Sequence, residues 1–186
     1  MKRRPAMEIM EIKTERLLIR KIIADDWTSL KRIWDDFRES DYAQYDVPHK
    51  SDEDEIRSQI SKWAALNGGT DHLFFAVCLD DEVIGYIVFH NTGDGYDSGY
   101  CFHSAYHGQG YARESFQALI RFLADRGVRR LTAGTALNNI PSLRLLESLG
   151  FAQTGTEKVS FYKDESGRDI YFDGGIFELK LNSSPN

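Results

Sequence analysis

Apolar side chains recur along this chain at two spacings, one typical of helices and one typical of strands. The clearest helical stretch places apolar residues three or four positions apart, which predicts an amphipathic helix; they are Trp27, Leu30, Ile33, Trp34 and Phe37. Runs rich in Val, Ile, Phe and Tyr between Gly, Asp and Asn predict strands. The predicted strands are 17–19, 74–79, 83–90, 99–103, 130–137, 151–163 and 169–181. The predicted helices are 27–37, a second one between Ser51 and Gly68, 109–125 and 141–150.

The ends of the predicted helices carry residues that cap or break helices. Ser51 is predicted to cap the second helix, because a serine oxygen can accept a hydrogen bond from the first backbone N–H groups. Gly68, Gly127 and Gly150 are predicted to end the second, third and fourth helices, since glycine enters the left-handed conformation without strain. Pro141 fits the first position of the fourth helix.

The order β-α-α-β-β-β-α-β-α-β-β indicates an α/β fold built on one mixed, mainly antiparallel sheet. The strand–helix–strand unit over residues 99–137 should form a right-handed crossover, which makes its two strands parallel. With 186 residues and no repeat or linker, the chain is expected to form a single domain over residues 1–186. Its core is expected at about residues 12–181, and residues 1–10 are predicted to be a loose tail.

A glycine-rich turn precedes the third predicted helix. The sequence there is Gly108-Gln109-Gly110-Tyr111-Ala112-Arg113-Glu114. The first N–H groups of a helix have no partner within the helix, and the helix dipole places partial positive charge at that end. Glycines allow close approach of a ligand to the backbone. The turn is therefore predicted to bind an anionic group such as a phosphate.

Taken alone, this turn also has a plainer explanation, in which small residues merely let the strand and helix pack closely. It does not match the dinucleotide-binding fingerprint. The spacing is Gly-x-Gly, the turn lies late in the chain, and no repeated strand–helix–strand architecture surrounds it.

Composition excludes several classes of function. The net charge is −6, whereas nucleic-acid binding needs clustered Lys and Arg, so no nucleic-acid partner is expected. Cys78 and Cys101 lie in apolar strand-like runs and are predicted to be buried thiols. The five histidines show no metal-ligand spacing, and no metal is predicted. No signal peptide and no membrane-spanning run is recognised, so we expect a cytoplasmic protein without a membrane partner.

Three motifs in register resemble those of GNAT-family N-acetyltransferases. The segment from Asn139 to Phe151 has the form Asn-x-x-Ser, then a leucine-rich helix, then Leu-Gly-Phe. The turn matches the two small positions of the family's acetyl-CoA motif at Gly108 and Gly110. The segment Thr14-Glu15-Arg16-Leu17-Leu18-Ile19-Arg20 resembles the opening strand of the ribosomal-protein-alanine N-acetyltransferase-like branch. The resemblance covers roughly residues 12–181. One departure is Ala105, where the family usually has Gln or Arg.

The resemblance implies the GNAT fold, in which the fourth and fifth predicted strands splay apart and acetyl-CoA lies in the gap. The pyrophosphate would lie on the amides from Gly108 to Arg113, and a backbone N–H near Phe102 or His103 would polarise the thioester carbonyl. Asn139 would bind the pantetheine arm. The implied acetyl-CoA-binding residues are Cys101, Phe102, His103, Gly108, Gln109, Gly110, Tyr111, Ala112, Arg113, Asn139, Ser142 and Arg144.

The group that assists the departing thiolate is left open between three alternatives. Many family members have a tyrosine where this chain has Leu146. Ser142 lies one helical turn earlier and could hydrogen-bond the thiolate, but it could equally cap the fourth helix. Direct protonation by water is the third alternative.

The general base is also open. Asp97, at the start of the fourth predicted strand, is one candidate, although a turn role explains it as well. His103 is another, because histidine titrates near neutral pH; its plainer role is in the pocket wall. His107 is predicted to line the phosphate loop. Arg113 and Arg144 could meet CoA phosphates or be solvated helix residues.

The leading prediction for the acceptor is the N-terminal amine of a protein such as a ribosomal protein. An α-amino group, with a pKa near ~8, loses its proton more easily than lysine, near ~10.4. Carboxylates and aromatic residues in 35–46 would suit a cationic amine, although a solvated loop explains them too. The alternatives are a small-molecule amine (polyamine, aminoglycoside or amino-acid-like) and an acyl-CoA-binding module without turnover. A homodimer stays open.

Overall fold

The computed structural model describes residues 11–181. Within them the chain forms eight strands and four helices, together with three short 3-10 turns. The strands are β1 (Ile12–Lys13), β2 (Leu17–Lys21), β3 (His72–Leu79), β4 (Glu82–Asn91), β5 (Tyr96–Phe102), β6 (Arg130–Ala136), β7 (Ala152–Lys163) and β8 (Asp169–Lys180). The helices are α1 (Trp27–Arg38), α2 (Glu53–Leu66), α3 (Tyr111–Asp125) and α4 (Ile140–Ser148). The tail predicted for residues 1–10 lies outside the described residues.

All eight strands belong to one sheet in the order β1-β2-β3-β4-β5-β6-β8-β7. Within residues 11–181, β5 and β6 are the parallel pair and the other neighbours are antiparallel. The predicted α/β fold, with its mixed sheet and parallel crossover, is confirmed. The hydrophobic pattern missed β1, because two residues are too short to show an alternation.

The two faces of the sheet bury separate apolar clusters. On one face, α3 and α4 cover a cluster that includes Phe89, Tyr96 and Phe116. On the other face, α1 and α2 cover a cluster that includes Trp34 and Tyr86. Because successive residues of a strand point to opposite faces, β5 contributes its even-numbered residues to the α3–α4 face and its odd-numbered residues to the α1–α2 face.

Two predicted helix starts are wrong by one position. The residue that caps α2 is Asp52, not Ser51, because the Asp52 side chain accepts a hydrogen bond from the Glu55 N–H at 3.0 Å. Helix α4 begins at Ile140, which makes Pro141 its second residue. Proline is tolerated there for the same reason as at the first position, since that N–H has no partner within the helix.

The Leu-Gly-Phe sequence after α4 is a helix-ending motif. Gly150 has a φ of 89°, and its N–H donates to the Glu147 carbonyl at 3.0 Å. The Phe151 N–H donates to the Leu146 carbonyl at 3.0 Å. These are the two hydrogen bonds of a Schellman motif, and the side chains of Phe151 and Leu146 are both buried, as that motif favours. The prediction that Gly150 ends α4 is confirmed.

Candidate active site

A gap opens in the sheet between β5 and β6. The two strands pair over three residues each, from Tyr96 with Leu131 to Ser98 with Ala133. Beyond that point β6 continues to pair with β8, while β5 continues to pair with β4. The gap is therefore closed beside Ser98 and widens toward the carboxyl ends of both strands, where the turn that precedes α3 begins.

The backbone of β5 presents N–H groups to this gap. The His103 N–H donates to the Ile84 carbonyl on β4 at 3.0 Å. Hydrogen-bonding direction alternates along an antiparallel strand, so the N–H groups of Phe102 and Tyr100 point the other way, toward the gap. Of the two residues considered for polarising the thioester carbonyl, His103 has its N–H engaged in the sheet, and the Phe102 N–H is the one that faces the gap.

The glycine turn places three helix N–H groups at the open end of the gap. Gly108 and Gly110 have φ values of 73° and 83°, which favour glycine. Helix α3 starts at Tyr111, two residues later than predicted, and its first internal bond runs from the Glu114 N–H to the Gly110 carbonyl at 2.9 Å. The N–H groups of Tyr111, Ala112 and Arg113 precede that bond, so they are the groups an anion would meet.

An arginine from the segment before β2 lies against the same turn. Arg16 donates to the Gln109 carbonyl at 3.0 Å, and its guanidinium lies 4.5 Å from the centre of the Tyr111 ring. It also pairs with Glu114 at 2.6 Å, and Thr14 donates to the same carboxylate at 2.6 Å. The cation therefore lies beside the predicted phosphate position, and it is held there by Glu114.

Burial alone would raise the pKa of Glu114, but hydrogen bonds from Thr14 and Arg16 outweigh it and hold the pKa below its ordinary value. A carboxyl group with a lowered pKa stabilises the fold above its unfolded pKa of about 4.3, and this stabilisation is lost as the pH falls through the folded pKa. We expect Glu114→Gln to lower the free energy of unfolding by roughly 1 kcal/mol at pH 7. Urea titrations at pH 7 and pH 3 measure the difference.

The matched control is Glu147→Gln, which removes an exposed carboxylate on α4. It should leave the free energy of unfolding nearly unchanged at both pH values. A loss for Glu114→Gln that is equally large at pH 3 and pH 7 would show that the charge of Glu114 is not what stabilises this contact.

Asn139 and Ser142 have separate roles at the start of α4. The Asn139 Oδ1 accepts a hydrogen bond from the Ser142 N–H at 3.2 Å, so Asn139 is the residue that caps the helix. The Ser142 side chain instead meets the Tyr100 hydroxyl, with 2.7 Å between the two oxygens. The alternative in which Ser142 caps α4 is therefore wrong. Leu146 is fully buried in the core under α4.

Tyr100 lies at the site although it was not among the predicted site residues. It follows Ser98 by two positions, so it lies where β5 and β6 begin to separate, and its side chain projects toward the α3–α4 face. Its ring packs against Phe116 at 5.6 Å between centroids. Burial raises its pKa to about 12, although the hydrogen bond with Ser142 acts in the opposite direction. The phenol is therefore protonated at neutral pH.

The two candidate bases lie on the α1–α2 face, at different ends of β5. Asp97 is exposed beside the closed end of the gap and accepts a hydrogen bond from Thr132 on β6 at 2.8 Å. His103 lies at the open end, where its Nδ1 is 3.9 Å from an Asp36 carboxylate oxygen. Cys101 lies between them on the same face and is buried, as predicted.

The remaining predicted acetyl-CoA-binding residues lie in the turn, at the start of α3 and on α4. Gln109, Arg113 and Arg144 are exposed. The Gln109 amide donates to the Ala105 carbonyl at 3.1 Å. His107 lies in the turn with its Nε2 2.7 Å from the Phe102 carbonyl oxygen. Arg113 therefore adds a cationic side chain to the helix N-terminus at the open end of the gap.

A comparison with known protein families decides what this arrangement is. The family model described as "Acetyltransferase (GNAT) domain" matches residues 16–152, which include β5, the turn, β6 and α4. The chain belongs to the GNAT acetyltransferase family. The predictions of the family, of the GNAT fold and of an acetyl-CoA-dependent N-acetyltransferase are confirmed.

Individual relatives align with this GNAT acetyltransferase over nearly the whole chain. The uncharacterized N-acetyltransferase YnaD of Bacillus subtilis (strain 168) is 30% identical over 168 residues, which are 88% of this chain and 95% of YnaD. A GNAT-family acetyltransferase from Bacillus anthracis has a solved structure with a TM-score of 0.74 and 29% identity, covering 92% of this chain and 99% of the other. RimL, a ribosomal L7/L12 alpha-N-protein acetyltransferase solved with coenzyme A, shares the fold with a TM-score of 0.81 at 18% identity, covering 94% and 100%.

On the α1–α2 face of this acetyltransferase, the segment after α1 lies against the β7–β8 hairpin. The Tyr162 hydroxyl donates to the Ala43 carbonyl at 3.2 Å, and the rings of Tyr45 and Phe172 lie 5.2 Å apart. A pocket of about 890 Å³ lies between the two segments. It is lined by Ala43, Gln44, Tyr45, Leu137, Asn138, Tyr162, Lys163, Ile170, Tyr171, Phe172 and Asp173.

Two carboxylates, Asp46 and Asp36, lie close enough to β5 for their charges to act on Cys101. The pKa of the Cys101 thiol is raised, mainly by burial and then by the negative charges of Asp46 and Asp36. Asp36 accepts two hydrogen bonds from Ser104; these and nearby histidines hold its pKa below the ordinary value, although burial acts to raise it. The α1–α2 side of the gap is therefore negatively charged near the middle of β5.

His49 belongs to the same region. Its ring stacks on Trp34 at 5.0 Å, and its Nε2 lies 4.0 Å from an Asp46 carboxylate oxygen. Burial lowers its pKa, as does the charge of Arg38, while Asp46 acts to raise it. Burial also raises the pKa of the Asp46 carboxyl, so it disfavours the charged form of both partners. No helix within residues 11–181 is long and apolar enough to cross a membrane.

Proposed function

We propose that this enzyme transfers the acetyl group of acetyl-CoA to the N-terminal α-amino group of a protein or peptide. The observation that carries the proposal is the pair of carboxylates, Asp36 and Asp46, whose charges reach the Cys101 thiol on β5. They lie on the face of the sheet opposite to the Tyr100–Ser142 contact. A cationic amine would therefore approach from the α1–α2 face, while the thiolate would leave toward α4.

The adjoining pocket favours a peptide over a polyamine. A polyamine would need a second carboxylate in the pocket for its second ammonium group, and Asp173 is the only carboxylate among the lining residues. Asp173 already pairs with Lys158 at 2.8 Å. The rest of the lining is mainly aromatic and aliphatic, with Ile170 and Tyr171 53% and 61% exposed. Such a surface suits the first few residues of a peptide that carries one positive charge.

The donor would lie in the gap between β5 and β6. Its pyrophosphate would meet the N–H groups of Tyr111 to Arg113 and the Arg16 cation. The Asn139 side-chain amide still has N–H groups to donate to the pantetheine arm, because only its oxygen is used in capping α4. The thioester would then lie toward the closed end of the gap. This proposal makes Arg16 an acetyl-CoA-binding residue in addition to those predicted from the motifs.

The chemistry at the closed end of the gap follows from the directions in which the backbone N–H groups and side chains of β5 point. An N–H that points into the gap, from Phe102 or Tyr100, would hydrogen-bond the carbonyl oxygen as negative charge develops there. Asp97 lies beside the closed end on the amine's face, which is where a general base is needed. An α-amino group has a pKa near ~8, so freeing it of its proton at pH 7 costs only about 1.4 kcal/mol, and Asp97 would accept that proton either directly or through water.

A thiol-release assay with acetyl-CoA and three acceptors tests this function. The first acceptor is a short peptide with a free N-terminal Ala or Ser. The second is the same peptide with its N-terminus blocked and an internal lysine introduced as the one free amine. The third is spermidine. We expect release with the free peptide only. Asp46→Asn should raise the KM for the peptide about tenfold, a loss of ~1.4 kcal/mol, and leave the KM for acetyl-CoA unchanged. Preference for spermidine would instead support the small-molecule alternative.

A further inference from the structure

One contact in the gap joins β5 to α4 through two hydroxyl groups. The Tyr100 hydroxyl oxygen lies 2.7 Å from the Ser142 Oγ, and the two residues are 42 positions apart in the chain. Helix α4 contains one other hydroxyl, on Ser148, which donates to the Leu145 carbonyl at 2.8 Å. Ser142 is therefore the hydroxyl that α4 presents to β5.

We propose that Tyr100 is a positioning residue for acetyl transfer: its hydroxyl donates to the Ser142 oxygen and so directs the Ser142 hydrogen toward the departing sulfur of CoA. This inference rests on the proposed placement of acetyl-CoA in the gap, and it gives a role to a residue that was not among the predicted site residues. The sulfur would lie near the closed end, which Tyr100 adjoins.

The direction of the hydrogen bond follows from the acidity of the two groups. Either oxygen can donate by geometry alone. A phenol, with an ordinary pKa near ~10, is a stronger donor than an aliphatic hydroxyl, and its oxygen is the weaker acceptor. The favoured arrangement therefore has Tyr100 donating and Ser142 accepting. The serine hydrogen is then left to point to a third group.

The pKa values of the phenol and the thiol show that the Tyr100–Ser142 pair donates a hydrogen bond to the departing thiolate but does not transfer a proton to it. Burial raises the pKa of Tyr100 to about 12, whereas an ordinary thiol has a pKa near ~8.5. Transfer of a proton from Tyr100 to the thiolate would therefore be strongly uphill. The amine nitrogen has by then bonded to the acetyl carbon; as the carbonyl double bond re-forms from the oxyanion, the bond between the acetyl carbon and sulfur breaks and its electron pair goes to sulfur. The Ser142 O–H stabilises that charge, and the thiolate takes its proton from solvent.

The packing around Tyr100 supports a fixed position. Its ring lies against Phe116 of α3, while the Ser142 backbone is held by Asn139. The Tyr100 and Ser142 oxygens are therefore fixed by contacts with α3, α4 and β5. Neither oxygen needs the substrate to hold its position. Preorganised donors of this kind stabilise developing charge without the cost of reorientation.

The test measures the thiol of bound CoA directly. The pKa of the thiol is obtained from the thiolate absorbance of enzyme-bound coenzyme A over a pH series, for wild type, Tyr100→Phe, Ser142→Ala and the double variant. We expect wild type to lower the thiol pKa relative to free CoA, and Tyr100→Phe to raise it by about one unit from the wild-type value. In steady-state assays, Tyr100→Phe should lower kcat about tenfold relative to wild type, with little change in the KM for acetyl-CoA.

The matched control is Tyr96→Phe. Tyr96 lies on the same strand and face, and its hydroxyl donates to the Thr70 carbonyl at 2.6 Å, away from the gap. Both tyrosine variants lose a partly buried hydrogen bond, so their melting temperatures should fall alike, but Tyr96→Phe should keep the wild-type thiol pKa. The double variant should match Ser142→Ala, because Tyr100 acts through Ser142.

Each result bears on a distinct claim. An unchanged thiol pKa in Tyr100→Phe, or losses in kcat that add in the double variant, would overturn the role of Tyr100 and leave the acetyltransferase function intact. If wild type binds CoA and acetylates only small amines, the peptide proposal fails, and the thiol pKa still decides the role of Tyr100. Failure of wild type to bind CoA would overturn both.

Discussion

Replacing Gly110 with aspartate (Gly110→Asp) is expected to weaken acetyl-CoA binding about 100-fold, or ~2.7 kcal/mol. Gly110 caps α3 with a φ of 83°, and a Cβ there would lie 3.4 Å from the Arg16 guanidinium. Aspartate is a good N-cap residue, so its carboxylate would accept from the N–H groups that the pyrophosphate needs. It would also pair with Arg16. Calorimetric titration with coenzyme A measures the loss.

The control for this prediction is Gly127→Asp. Gly127 follows the other end of α3 with a φ of 80°, and a Cβ added there would have no neighbouring atom within 4 Å. The same substitution therefore meets the same backbone strain, about 1–2 kcal/mol, without adding charge at the turn. Coenzyme A should bind this variant as tightly as wild type. Equal affinities for all three proteins would refute the assignment of the turn as the phosphate site.

A second large effect is expected at the closed end of the gap, where Gly95→Ala should lower the free energy of unfolding by at least ~3 kcal/mol. A Cβ on Gly95 would lie 2.2 Å from the Arg130 carbonyl oxygen and 2.9 Å from its carbonyl carbon. Both are backbone atoms at the start of β6, so no side-chain rotation relieves the contact. The melting temperature should fall by roughly 6–12 °C.

Gly99→Ala, four residues later and within β5, provides the comparison. There the added carbon would lie 3.3 Å from a Val88 methyl group, and a side chain can shift by a few tenths of an ångström. We expect a change within ~1 kcal/mol by thermal or urea unfolding. If Gly95→Ala were as stable as Gly99→Ala, the two strands would not approach as closely at Gly95 as the structure shows.

Local sequence patterns predicted most elements, because each pattern is read within one helix or strand. The glycine turn and the Leu-Gly-Phe segment carry their geometry in a few consecutive residues, and both are where the patterns placed them. Helix ends were harder, since Ser51 and Asp52 are both good caps and only their geometry distinguishes them. The correction is one residue, but it follows from a specific hydrogen bond to Glu55.

The contacts that complete the site join residues far apart in the chain. Arg16 and Glu114 are 98 positions apart, and Tyr100 and Ser142 are 42 apart. The sequence shows a tyrosine in a strand and an arginine before one, but neither position reveals its partner. Their partners are fixed by the pairing of β5 with β6 and by the packing of α3 and α4, which no single segment encodes. A search for polar residues that alternate onto the α4 face of β5 would have drawn attention to Tyr100.

The three-residue pairing of β5 with β6 has a consequence for how the molecule holds together. It divides the sheet into a part of five strands (β1 to β5) and a part of three (β6, β8 and β7). In the described residues, strand pairing joins the two parts only near Ser98, and elsewhere helices connect them. The pantetheine arm contains two amide groups, so a donor molecule in the gap can continue the interrupted hydrogen-bond ladder along β5. The bound donor would then take the place of a strand. The hydrogen-bonded connection between the two parts of the sheet would form when acetyl-CoA binds and be lost when coenzyme A leaves.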